Sequence, residues 1–176
     1  MSIDCGASDI FFTDDNSIMW TGDTDLIQTG QAQVVSNSMS HVMDTLRVFT
    51  TRKKNCYSFT ADIGVRLLVR ADFYYGNYDK KSSPPTFDLL IDGNLWATVE
   101  TSSTDVVTYE IIYLVRWDTI SVCLAQTKPN QFPFISALAI RPFDSHMYEN
   151  VDSNHILYSE IRVGYGAEGI VRYVIY

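Results

Sequence analysis

VRLLVRADFYYGNYD, Val65 to Asp79, decides how this chain is read. Its first part alternates. Val65, Leu67, Val69, Ala71 and Phe73 fall on one face, and Arg66, Leu68, Arg70, Asp72 and Tyr74 on the other. A period of two belongs to a β-strand with one face in a core. The last part holds Tyr74, Tyr75 and Tyr78 with Gly76, Asn77 and Asp79. A rigid strand would thus deliver flat rings and hydrogen-bonding groups to one end of a fold. That suits a binding surface, and no residue of the run suggests a catalytic apparatus.

The same period recurs on both sides. N-terminal to the run, Ser2–Cys5, Ile18–Thr21, Leu26–Thr29, Thr45–Thr50 and Cys56–Thr60 read as short strands, the last with Tyr57 and Phe59 on one face. C-terminal to it, Phe87, Leu89 and Ile91 continue the inward pattern, Asp92-Gly93-Asn94 is a hairpin turn, and Leu95–Thr101 returns. Val106–Val115, Thr119–Ala125 and Phe134–Arg141 follow. No window carries a sustained helical period. About ten short strands separated by turn signals predict an all-β antiparallel sandwich or jelly roll. The pattern stops near Phe143, so residues 1–143 read as the module and 144–176 as a polar linker or tail, ending in the apolar IVRYVIY of Ile170–Tyr176.

A chain of 176 residues suits one domain with a sizeable core. Its 46% hydrophobic and 19% charged residues place it among globular chains. The formal charge of −8 repels nucleic acid and anionic membranes. That charge either keeps the domain soluble or attracts a basic partner. No apolar stretch reaches the roughly 18 residues a membrane helix needs. The opening MSIDCG lacks the features of a signal peptide. Of the three cysteines, Cys56 and Cys123 both fall in strand-like segments and are the preferred disulfide pair in an oxidising compartment. In a reducing one all three stay free thiols.

Catalytic and cofactor motifs are weak. Gly164–Gly169, GYGAEG, matches G-x-G-x-x-G in letters, but a terminal β-prone stretch follows where a nucleotide site needs a helix. His41, His146 and His155 lie far apart, which disfavours zinc. Asp14-Asp15 and Asp23-Thr24-Asp25 read as turn acids without the calcium-loop pattern. No cofactor and no enzymatic activity are expected. The aromatic loop then has three readings. Tyr74, Tyr75 and Tyr78 stack on a sugar while Asn77 and Asp79 fix its hydroxyls; the rings anchor a peptide or partner; or they cap the fold.

A resemblance joins these segments. SIDCG (Ser2–Gly6), FTDD and WTGD (within Phe12–Asp23), LRVF (Leu46–Phe49), KNCYSF (Lys54–Phe59), VRADFYYGNYD (Val69–Asp79) and PPTFDLLIDGNLWATV (Pro84–Val99) resemble the malectin-like ectodomain of plant receptor-like kinases. So do EIIY (Glu110–Tyr113), ISVCLAQT (Ile120–Thr127) and PFISALAIRPF (Pro133–Phe143). The likeness is nearest to the leucine-rich-repeat type. It implies a malectin-type β-sandwich and an extracellular, plasma-membrane-anchored parent with two such modules in tandem. RVGYGAEGIVRY (Arg162–Tyr173) resembles the start of the second module. The chain therefore reads as one module with a stump of the next, either an expression fragment or a truncated product. The resemblance implies a non-enzymatic carbohydrate-recognition module for a cell-wall or glucose-type oligosaccharide. The alternative is a module for a secreted peptide or co-receptor without sugar affinity.

Overall fold

A computed structural model describes residues 1–8, 11–37, 39–149, 152 and 156–158. In chain order the strands are β1 (Ser2–Asp4), β2 (Phe12–Thr13), β3 (Met19–Gly22), β4 (Gln31–Val34), β5 (Thr45–Val48), β6 (Lys54–Thr60) and β7 (Arg66–Phe73). Then come β8 (Thr86–Ile91), β9 (Asn94–Glu100), β10 (Val107–Leu114), β11 (Thr119–Ala125), β12 (Phe134–Ile135), β13 (Ala137–Pro142) and β14 (Leu157–Tyr158). A single 3-10 turn, His41–Met43, is the helical element among the described residues. The expected all-β sandwich is what forms.

Three sheets build it. The largest runs β14-β10-β7-β13-β1-β3-β2, the second β6-β11-β8-β9, and a small third β12-β5-β4. β7 is the spine of the first, paired along its whole length with β10 and on its other side with β13. Its alternation holds. Leu67, Val69, Ala71 and Phe73 are buried in one cluster with Phe87, Leu89 and Ile91 of β8 and Ile120, Val122 and Leu124 of β11. Apolar contact of this kind between the inner faces of two sheets, more than backbone preference, holds a sandwich together. The β8–β9 turn has φ of 45° at Asp92 and 79° at Gly93. Both are left-handed, as a two-residue turn matching the sheet twist requires. Tyr113 Oη donates to Asp92 Oδ2 (2.6 Å) and Ser121 N to Oδ1 (2.7 Å), so this carboxylate is committed to the turn.

Ser136 divides the expected Phe134–Arg141 strand. β12 pairs with β5, whereas β13 pairs with β7. At the switch the buried Ser136 donates its N–H to Asp72 O (3.0 Å) and accepts from Cys5 N (2.9 Å) and Tyr74 N (3.0 Å). Every polar group at a sheet-to-sheet crossing needs a partner, and here neighbouring strands supply them.

Two expectations change. Leu26–Thr29 is no strand: Leu26 N and Ile27 N both turn back to Asp23 O (3.0 and 3.2 Å). Described residues after Phe143 also pack on the large sheet instead of trailing from it. Phe143 joins Leu68 and Ile112 in a second, smaller apolar cluster on the outer face of the large sheet, covered by Met147 and Tyr148. Arg66 donates to Glu149 O (3.0 Å). β14 then pairs with β10, Tyr158 opposite Ile111 and Leu157 opposite Ile112. Polar sequence hid this return because only a few apolar residues make the contact. The GYGAEG, RVGYGAEGIVRY and Ile170–Tyr176 stretches lie outside the described residues.

Candidate binding surfaces

The loop after β7 was expected to present its rings. The structure turns them inward. Tyr74 is 4% exposed and Tyr75 fully buried. Tyr75 meets Tyr78 edge-on at 5.5 Å between centroids, and Tyr78 rests against Phe134 at 5.7 Å. Phe134 continues into Phe73 and Phe87, so the rings form one aromatic plug. Gly76 lets the chain fold back. Its φ is +50°, and a Cβ there would sit 2.6 Å from Val35 Cβ.

The loop's polar groups hold the plug shut. Tyr75 Oη donates to Asp79 Oδ1 and accepts from Ser83 N (3.2 Å). Lys81 N also donates to Asp79 Oδ1 (3.2 Å), and Lys81 Nζ stands 3.6 Å from Oδ2. Asn77 Oδ1 accepts from Ser82 N (2.9 Å). Burial, then Asp79, pushes the ionisation of both Tyr75 and Tyr78 up. Of the five residues expected to contact a ligand, Tyr74 and Tyr75 lack accessible ring faces. Asn77, Tyr78 and Asp79 remain half-buried at the rim. The inward packing of these rings has a physical cause. A tyrosine can bury its body whenever its hydroxyl finds an acceptor, and Asp79 is that acceptor for Tyr75.

A second constellation looks chemical but is sealed. Asp23 is fully buried. Arg47 grips it through Nε–H to Oδ2 and Nη2–H to Oδ1, both 2.6 Å. Tyr57 Oη donates to Oδ2 (2.7 Å) and Gly6 N to Oδ1 (2.9 Å). The free Cys5 thiol is also buried, and burial followed by the charge of Asp23 pushes its ionisation well up. A thiol so disposed is no nucleophile. The two-pronged pair, with its lone pairs answered, is a buried ion pair that fixes strand placement. The residues come from SIDCG, WTGD, LRVF and KNCYSF, the segments carrying the resemblance. Sequence reasoning saw those segments but not that they converge.

Cys56 and Cys123 face each other in register between β6 and β11 and are joined as a disulfide. Their separation of 67 residues makes the bond worth about 4 kcal/mol if chain entropy of the unfolded state dominates. No group of His, Cys, Asp or Glu among the described residues could hold a metal ion.

The opposite end of the sandwich was missed in the sequence. There a cleft of about 260 Å³ opens between the sheets, lined by Phe59, Val65, Leu67, Ile120, Ile140 and Pro142, with Thr60, Ala61 and Asp62 at its mouth. Beside it stand Ile63, 69% exposed, and Trp117, 67% exposed. Their loops are tied together by Gly64 N to Val115 O (2.9 Å) and Ala61 N to Asp118 O (3.1 Å). The only available signal was two large apolar residues in short polar turns.

The three sheets thus make a mostly antiparallel β-sandwich, closed by the aromatic plug at one end and holding a cleft at the other. The chain belongs to the malectin-like domain family, whose model matches residues 3–174. An uncharacterized Arabidopsis thaliana protein is 36% identical over 176 residues, spanning 98% of this chain and 35% of its own length. A putative leucine-rich repeat receptor-like serine/threonine-protein kinase of Arabidopsis thaliana is 38% identical over 131 residues, 73% of this chain and 15% of its own. The chain thus spans about a third or less of these relatives. Among solved structures, the Arabidopsis thaliana ANX2 ectodomain superposes with a TM-score of 0.73 at 18% identity, over 82% of this chain and 42% of its own. The plant peptide RALF23 in complex with FER and LLG2 gives 0.67 at 14% identity, over 81% and 39%. At such identity the likeness is one of fold. Among the described residues no helix is long and apolar enough to cross a membrane.

Proposed function

We propose that this chain is a non-catalytic recognition module of a receptor-kinase-type ectodomain, working outside the cell on a protein or peptide ligand. The inward packing of Tyr74 and Tyr75 carries the reading. A sugar-binding platform needs open ring faces. At this loop a carbohydrate would meet only Asn77, Asp79 and part of Tyr78. A protein ligand needs apolar anchors and complementary charge, and a module at −8 favours a basic one. The solved peptide complex of FER lends support by kinship of fold. The Cys56–Cys123 bond suits an oxidising, extracellular setting. The ligand classes therefore change order relative to the sequence expectation.

The test sets both classes side by side. The chain is applied to an array of glucose and cell-wall oligosaccharides and panned against a phage-displayed random nonapeptide library. The expected outcome is no saturable glycan signal and enrichment of basic peptides whose binding weakens with salt. Saturable glucan binding that disappears in Tyr78→Ala overturns the reading.

A further inference from the structure

We infer that the open end of the sandwich is a docking slot for an extended basic peptide that inserts one aliphatic or aromatic side chain. The inference rests on the protein-recognition reading above and gives it a surface. The cleft walls are aliphatic and aromatic, contributed by both sheets. That lining suits an apolar anchor and offers a sugar almost no hydrogen bonds. Ile63 follows Asp62 of the lining and Trp117 precedes Asp118, whose carbonyl accepts from Ala61 N, and both side chains are exposed. Their turns are hydrogen-bonded to each other, which brings two large apolar residues together on one end of the fold, and Trp is prominent among interface anchors.

Charge selects the partner. Asp62 lies at the mouth and Asp118 on the adjoining loop, both exposed. Neither carboxylate has a side-chain or backbone partner among the described residues. Arg116, exposed in the same turn, lies close enough to Tyr113 to act on its phenol. A basic segment would answer Asp62 and Asp118. A second copy of this chain would bring the same two acids, and a further −8, against them. The cleft also opens beside β6, an edge strand of its sheet. Extended chains dock most readily along such edges.

The experiment uses peptides selected from the random nonapeptide library on the intact chain, resynthesised with a fluorescein label and titrated by anisotropy. Selected sequences should carry net positive charge and one Leu, Ile, Phe or Trp. Ile63→Ser with Trp117→Ser should weaken binding at least about tenfold, with an unchanged unfolding midpoint, since both side chains are exposed. Asp62→Asn with Asp118→Asn should flatten the salt dependence, and Asp79→Asn at the far end should leave affinity unaltered. Peptide binding indifferent to the Ile63 and Trp117 changes overturns the slot while leaving the protein-recognition reading standing. Glucan binding without peptide enrichment overturns both. Failure to enrich any peptide, or a dimer in sedimentation that dissolves in Trp117→Ser, also overturns the slot.

Discussion

At one end of the sandwich Tyr75, Tyr78, Phe87 and Phe134 close on one another, while at the other Ile63 and Trp117 stand in solvent beside an unfilled cleft. The first end has the richer aromatic sequence and the poorer binding surface. Length of connection explains the contrast. Residues 74–85 are long enough to fold back, bury their rings and satisfy hydroxyl and carboxylate among themselves. Residues 61–65 and 115–118 are short turns that hydrogen-bond to each other and have no slack to bury their tips. Ring content therefore says less about recognition than the slack of the loop that holds the rings.

Substitutions can break or sharpen this contrast. Tyr75→Ala should do most, removing about 4 kcal/mol of stability in chemical unfolding, because it hollows the plug. A loss below about 1 kcal/mol would mean the ring is not packed as described. Gly76→Ala comes next, at about 2 kcal/mol, since the new methyl must displace Val35 and hold a left-handed φ. The buried phenols should also respond to alkali. Burial raises the Tyr57 and Tyr78 phenols above their ordinary value of 10 in the folded chain. Unfolding releases them to ionise, so stability is full below pH 10 and falls as pH rises beyond it. Absorbance at 295 nm should show these phenols titrating only as the chain unfolds. Smallest of all, Trp117→Ser should move stability by less than about 0.5 kcal/mol. A large shift there would show that the open end is a core in disguise.

Period-two alternation made β5 to β11 and β13 legible, because each has one face in the main core. β2, β4 and β14 were not legible, since strands of two to four residues held by a neighbour carry too little pattern. Leu26–Thr29 misled because its apolar letters follow the turn that positions Asp23. The site was harder. FYYGNYD gives the composition of a recognition loop, and only Val35, remote in sequence, decides that Gly76 folds inward. The Asp23, Arg47 and Tyr57 constellation was visible only as separate family segments, because their closeness depends on which strands become neighbours.

Tyr57 and Cys56 are adjacent in β6, and the pleat sends them to opposite sides. Tyr57 reaches inward to the Asp23 carboxylate near Cys5, while Cys56 points outward to Cys123. Three thiols allow three pairings in an unfolded chain. Once β6 lies in place, the sheet itself separates Cys5 from the other two, and a single pairing survives. Strand alternation thus selects the disulfide, with the sheet acting as a wall between Cys5 and the Cys56–Cys123 side.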